Sequence, residues 1–193
     1  MPVFKILVMG MPASGKTTFK RYVFEGKEFN QLTDYIPTFG VHITLYNYKG
    51  SETVKVSAFD CGGQTSFIDT YSTDQWLPNL FSEVSLLFFM VDSSSKKTLK
   101  EAGKLFKKYL NNVIRYSDEC VVSVLASKWD RHTLSEDDLK GVFKNVTVHP
   151  VSVTDGSARK VSQMIIDDML EKRKQRQPRD GKTPPPYVSA LHE

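Results

Sequence analysis

The sequence predicts an α/β domain built on a mostly parallel sheet, and three observations carry that expectation. Short apolar runs alternate along the chain with stretches of helical spacing. One of those runs, Leu86–Val91, is wholly apolar, as in a strand covered on both faces. Two alternating stretches flank Lys49-Gly50-Ser51, which predicts a hairpin and therefore one antiparallel edge strand.

The elements follow in order. Residues 4–9 (Phe-Lys-Ile-Leu-Val-Met) read as a buried strand ended by Gly10, and a helix is expected from Lys16 to Phe24. The stretch 27–40 lacks periodicity and holds Pro37 and Gly40, so it reads as a loop. Val41, Ile43 and Leu45 form one arm of the hairpin, and Val54, Val56 and Ala58 the other. A strand over 84–91 precedes a helix over 96–115, with Leu99, Ala102, Leu105, Phe106, Leu110 and Val113 on its inner side. A strand at 120–126, a helix at 135–144 and a short strand at 146–151 come next. The last helix spans 158–172, with Val161, Met164, Ile165 and Met169 as its inner stripe. Residues 1–173 form one domain in this reading, and 174–193, with Pro184-Pro185-Pro186, a basic extended tail.

Composition narrows the function classes. The chain is 40% hydrophobic and 25% charged, which excludes a disordered or collagen-like polymer. No apolar run approaches the ~20 residues of a membrane span, and no secretory leader is visible. Cys61 and Cys120 are too few for a disulfide scaffold, so a cytoplasmic setting is expected. The net charge of +4 resides in the C-terminal stretch, where Lys172, Arg173, Lys174, Arg176, Arg179 and Lys182 outnumber Asp180 and Glu193. The remainder is neutral, which argues against nucleic-acid binding. The basic tail itself suits weak, reversible contact with an anionic membrane.

Four segments carry chemistry. Gly10-Met11-Pro12-Ala13-Ser14-Gly15-Lys16-Thr17 fits G-x-x-x-x-G-K-[ST] between a predicted strand and a predicted helix. Its glycines permit a tight turn, and N–H groups from Ala13 and Ser14 through Thr18 surround a polyphosphate. Lys16 reaches the β/γ oxygens, and the Thr17 hydroxyl suits Mg²⁺. In Asp60-Cys61-Gly62-Gly63-Gln64, Asp60 suits a metal-bound water, the N–H of Gly63 a γ-phosphate, and Gln64 an attacking water. Ile36-Pro37-Thr38 offers a second Mg²⁺ hydroxyl at Thr38. In Ser127-Lys128-Trp129-Asp130, the Asp130 carboxylate accepts from guanine N1–H and N2–H₂ together, whereas adenine presents an acceptor there. The stem of Lys128 suits the purine face, and a backbone N–H of Ser152-Val153-Thr154 suits guanine O6.

In this order and spacing the motifs resemble those of a Ras-superfamily small GTPase over residues 3–172. Asp60-Cys61-Gly62-Gly63-Gln64, followed by Phe67, Tyr71, Leu80-Phe81, Val84, Leu87 and Val91-Asp92, is most similar to the Rag (Gtr) GTPases; Ile36-Pro37-Thr38 is closer to Arf proteins. The resemblance implies a P-loop NTPase G domain with a six-stranded sheet, bound GTP or GDP with Mg²⁺, and two segments, 27–40 and 60–76, that switch with the γ-phosphate. It assigns Lys16 to the phosphates, Thr17, Thr38 and Asp60 to the metal (Asp60 through water), Gln64 to the catalytic water, and Lys128 and Asp130 to the base.

Departures from the family set further expectations. Ser127 stands where most of the superfamily has Asn, which predicts a looser tie between base loop and phosphate loop. Pro12 removes one N–H from the phosphate loop and adds bulk where a partner's arginine approaches. No arginine lies between residues 25 and 40, so turnover is expected to be slow, on the order of 10⁻⁴–10⁻² s⁻¹, until a GTPase-activating protein binds. Effector proteins would read the switch. The Rag likeness implies a roadblock- or longin-type partner supplied by a separate chain, since no such domain follows the last helix. Pro2 and the terminal Leu-His-Glu offer no lipidation site. Two other readings stay open: a nucleotide-holding interaction scaffold with little turnover, and a P-loop kinase, against which the hairpin and the lack of an arginine-rich lid both speak.

Overall fold

The period-two alternation of apolar residues in two neighbouring strands decides how this molecule layers. In the computed structural model, which describes residues 3–32, 40–49, 53–61, 73 and 76–176, β1 (Val3–Gly10) sends Leu7 and Met9 to one face and Ile6 and Val8 to the other. β4 (Val84–Asp92) does the same with Leu87, Phe89 and Val91 against Leu86, Phe88 and Met90. Both strands are therefore buried on two sides, as a parallel sheet with helices on each face requires.

The sheet has six strands in the order β2-β3-β1-β4-β5-β6. β2 (Val41–Lys49) and β3 (Thr53–Cys61) pair antiparallel, with Ile43 opposite Phe59 and His42 opposite Asp60. β1 pairs parallel with β3 and β4, and β4, β5 (Val121–Ser127) and β6 (Val148–Pro150) continue in parallel. The predicted fold class is the observed one.

On one face α1 (Lys16–Val23) and α5 (Ser157–Arg176) cover Phe19, Phe88, Ile166 and Leu170. On the other, α2 (Trp76–Phe81), α3 (Leu99–Tyr116) and α4 (Glu136–Val142) enclose Phe89, Phe106 and Phe143, whose rings meet at 5.2–6.1 Å. α4 starts on a capping box, Ser135 Oγ accepting from the Asp138 N–H while the Asp138 carboxylate accepts from Ser135 N–H. Gly103 lets α3 approach α4, since a Cβ there would stand 2.4 Å from Val142 Cγ1.

Two details of the helices correct the sequence reading. Met164, expected inside, is 55% exposed, and the inner stripe of α5 runs through Ala158, Ile165, Ile166, Met169 and Leu170. At 100° per residue, positions 165, 166, 169 and 170 share a face on which 164 does not lie. α3 additionally buries Tyr109, whose ring sits 5.9 Å from that of Phe81. α5 continues to Arg176, past Lys174. Ile36, Pro37, Thr38, Gly63, Gln64, Phe67, Tyr71, residues 177–193 and the side chain of Trp76 lie outside the described residues. No helix among the described residues is long and apolar enough to cross a membrane.

Candidate functional site

The C-terminal ends of the parallel strands converge on the turn after β1. Gly10 has φ 148°, and a Cβ there would lie 2.3 Å from the Met90 carbonyl oxygen, so the close approach of β1 to β4 excludes any side chain. Ala13 (φ 58°) and Gly15 (φ 88°) are left-handed, which wraps the loop and delivers the chain into α1 at Lys16. Ser14 is fully buried and donates from Oγ to Met11 O at 2.9 Å. The Lys16 ammonium lies inside the loop, 2.8 Å from Met11 O and 3.2 Å from Gly10 O. Burial pulls its pKa down to about 8, against the opposing pull of the Asp60 carboxylate. An anion entering the loop would restore the ammonium's favoured partner.

Asp60, 1% exposed, stands at the end of β3 beside Val8 of β1. Thr17 lies in the first turn of α1, and Thr18 reaches the neighbouring cavity. Carboxylate and hydroxyl oxygens at this junction are hard donors of the kind Mg²⁺ takes, so the residues present fit that ion. Cys61 is a buried thiol whose pKa burial raises, which makes it a small core filler.

At the other side of the phosphate loop, β5 ends in Ser127. The looser tie expected there is corrected. Ser127 Oγ lies 2.7 Å from Ser14 O and 2.9 Å from Val91 O, so the hydroxyl links the base loop to the phosphate loop directly. The short side chain suffices because the two loops touch: a Cβ on Gly15 would stand 4.0 Å from that oxygen. Lys128 (φ 58°) donates to Ala13 O at 2.8 Å and pairs with the Asp92 carboxylate. Asp92 also accepts from the N–H and hydroxyl of Ser94. Burial pushes the Asp92 pKa up, but these hydrogen bonds outweigh it and hold the carboxyl below its ordinary value.

Asp130 is exposed, with Oδ1 accepting from Ser152 Oγ at 2.6 Å. The N–H groups of Ser152 and Thr154 are taken by Ser157 Oγ and Ser152 Oγ. Of Ser152, Val153 and Thr154, Val153 is the one whose N–H meets no acceptor among the described residues. A cavity of about 270 Å³ joins these pieces: Gly15 and Thr18 from the phosphate loop and α1, Ser127, Lys128 and Asp130 from the base loop, and Ser152 and Val153 after β6. Phe29 and Leu32 form its outer wall, with Arg131 and Thr154 at its margin. Sequence reasoning did not single out Phe29, Leu32 or Arg131, nor Asp92 as the partner of Lys128. Phe29 and Leu32 sit in an aperiodic loop, and only their tertiary placement marks them.

A strand–glycine loop–helix turn enclosing a lysine, beside a carboxylate-bearing base loop on a six-stranded sheet, defines a P-loop protein with a G-domain fold. The Gtr1/RagA G protein conserved region matches residues 5–165, and the chain belongs to that family. It is 27% identical over 180 residues to the GTP-binding protein GTR1 of Saccharomyces cerevisiae, covering 86% of this chain and 57% of that one. It is also 27% identical over 141 residues to the Ras-related GTP-binding protein A of Dictyostelium discoideum, covering 73% and 45%. The chain thus spans about half the length of these two relatives. The ADP-ribosylation factor-like protein 3 of Saccharomyces cerevisiae is 26% identical over 192 residues, covering 95% and 90%.

Proposed function

We propose that this chain is a guanine-nucleotide-binding switch that hydrolyses GTP slowly to GDP and phosphate. The observation that carries the reading is the single cavity in which Asp130, Lys128 and the start of α1 meet beside the Lys16 loop. A purine in that cavity has its polyphosphate end toward N–H groups and an ammonium, and its base end toward a carboxylate. Asp130 selects guanine over adenine by accepting from N1–H and N2–H₂, and the Val153 N–H suits guanine O6. Thr17 and Thr38, with Asp60 through a water, would hold Mg²⁺, which would neutralise phosphate charge. Gly63 follows the γ-phosphate and Gln64 orients the attacking water. Residues 27–40 and 60–76 then take different positions with GTP and with GDP, and this difference controls partner binding.

The GTP-binding relatives support this reading. A GTPase-activating protein supplies the missing arginine, effectors read the two segments, and a roadblock- or longin-type chain is a further partner. Residues 1–173 act as the G domain, and 174–193 touch anionic membrane weakly, so the chain is cytoplasmic or peripheral at a membrane surface.

A second reading keeps nucleotide as a structural ligand of an interaction scaffold with little turnover. It is favoured by Pro12, which lies exposed in the phosphate loop and offers it no N–H. The test is to incubate nucleotide-stripped protein with equal GTP and ATP plus Mg²⁺, wash it, and chromatograph what stays bound. Retained guanine nucleotide that converts to GDP supports the switch, and retained GTP that never converts supports the scaffold. Retained adenine nucleotide removes Asp130 from its role and ends the switch reading, and retention of no nucleotide ends both.

A further inference from the structure

The outer wall of the nucleotide cavity is held in an unusual way. Phe29 and Leu32 line the cavity from a short 3₁₀ turn, Phe29–Gln31, in which no residue is buried and Phe29 is 55% exposed. Leu32, half-buried, packs against the core beneath α1 and α5, but the exposed Phe29 and the turn itself are not fixed by apolar burial and depend on polar contacts as well. Some come from α1 and β2: Arg21 Nη2 donates to Gln31 O at 3.4 Å, and the Tyr46 hydroxyl donates to Glu25 Oε1 at 3.1 Å.

The densest set comes from a single residue of α5. Arg159 Nη2 donates to Tyr22 O at 3.1 Å and to Lys27 O at 3.4 Å, while Nη1 lies 3.4 Å from the Glu28 carboxylate. The guanidinium plane also sits over the Tyr22 ring, with Cζ 4.1 Å from its centroid. One planar cation thus reaches the end of α1, the chain leaving it and the residue that precedes the turn. Its neighbour Ala158 lines the same cavity. The segment leaving α1 is thus tied to α5 through one side chain, and guanidinium forks are suited to holding several acceptors in a fixed geometry.

We infer that Arg159 is a positioning residue for the nucleotide: by clamping residues 22–28 to α5, it keeps Phe29 and Leu32 against the cavity and sets how long a guanine nucleotide stays bound. The inference rests on the nucleotide-binding reading above. Arg159 touches neither the phosphate loop nor Asp130, so it acts through the wall and leaves hydrolysis of bound GTP alone.

The test uses the full chain loaded with fluorescent N-methylanthraniloyl-GDP and chased with excess GDP. Arg159→Ala is expected to speed release by about tenfold, the scale of losing a charge-assisted cluster. Single-turnover hydrolysis of bound GTP should stay within about twofold. Arg159→Lys, which keeps a charge near Glu28 but lacks the fork, should fall between, and it serves should the alanine variant fold poorly. Hydrogen exchange on the nucleotide-free proteins should show faster exchange at 27–32 in the variants, with β1 and β4 unchanged. Release at the wild-type rate overturns the inference, as does unaltered exchange at 27–32 or a hydrolysis rate that falls in step with release. Should wild-type protein retain no guanine nucleotide at all, the proposed function falls and the nucleotide role of Arg159 with it. The exchange data then still decide whether Arg159 orders the segment.

Discussion

The hydroxyl of Ser127 and the carbonyl of Ser14, 113 positions apart in sequence, meet at 2.7 Å and fasten the end of β5 to the phosphate loop. A serine has one proton to give, and Val91 O lies within reach of the same oxygen at 2.9 Å. Both acceptors are main-chain groups in a buried position, so the side chain is committed to the fold. Ser127→Ala leaves them without this donor, at a cost of about 1–3 kcal/mol. For a chain of this size that is a fall of roughly 2–12 °C in Tm. Thermal melting of the nucleotide-free protein measures it, and nucleotide release should quicken in parallel; a melt within 1 °C of wild type, as an approximate threshold, would remove Ser127 from this role.

Gly10 makes a sharper prediction. A methyl group there meets a backbone oxygen at 2.3 Å, and no rotamer change relieves a clash with backbone. Gly10→Ala must part β1 from β4 at the phosphate loop, costing about 3 kcal/mol or more. Gly26→Ala is the control: its φ of 67° is also left-handed, but nothing lies within 4 Å, so it should cost only about 1–2 kcal/mol. Urea denaturation midpoints for the two variants give the comparison.

Asp92 links stability to acid. Its folded pKa lies below the ordinary value, chiefly because hydrogen bonds from Lys128 and Ser94 outweigh the burial that would raise it. A carboxyl depressed in this way stabilises the fold above its unfolded pKa of about 3.9, and that contribution disappears as pH falls through the folded value. Asp92→Asn should therefore be less stable than wild type by about 1–3 kcal/mol at neutral pH. The gap should close below about pH 4. Denaturant titrations from pH 3 to 7 follow the difference, and a gap independent of pH would mean that packing, not charge, is lost.

What the sequence revealed and what it hid follow a physical line. Gly10, Gly15 and Lys16 were legible because the loop's chemistry is local: a backbone turn, a row of N–H groups and a cation within a few residues. The buried strands were legible for the same reason, since Leu86–Val91 states its own environment. Phe29, Leu32 and Asp92 were not, because their roles are set by what folding brings against them from α5, β5 and the base loop. Ser127 was misjudged by analogy: its size predicted a lost link, while the touching loops make a hydroxyl long enough. The short α2, with Pro78 in its first turn, has too few residues for a helical period to register. Met164 shows the limit of periodicity itself, which defines a stripe but not its edges.

Gln64 lies outside the described residues, and its role is tested by kinetics. Gln64→Leu should slow single-turnover GTP hydrolysis by about tenfold or more while GDP release stays within about twofold, since in the proposed mechanism the side chain orients water and does not hold the nucleotide. Unchanged hydrolysis would take Gln64 out of the mechanism.

Lys16 ties nucleotide affinity to alkaline pH. In the nucleotide-free fold its pKa is drawn down to about 8, with burial as the main cause. The unfolded chain holds that proton up to an ordinary lysine value near 10.4, so it binds more protons than the fold between those limits. Stability of the free protein consequently rises with pH across that window. A polyphosphate in the loop reverses the balance, because it stabilises the ammonium and lifts the pKa of Lys16 in the complex. Binding then takes up a proton wherever the free lysine is neutral. GDP affinity should be level near pH 7.5 and fall above about pH 8, approaching tenfold per unit. Lys16→Arg provides the contrast, since a guanidinium stays charged throughout. Its affinity is expected to be weaker but flat between about pH 7.5 and 9. Fluorescence titrations with N-methylanthraniloyl-GDP across this range compare the two. Parallel profiles for wild type and the arginine variant would show that the titrating group is not the lysine, and the loop would then have to bind phosphate through its N–H groups alone.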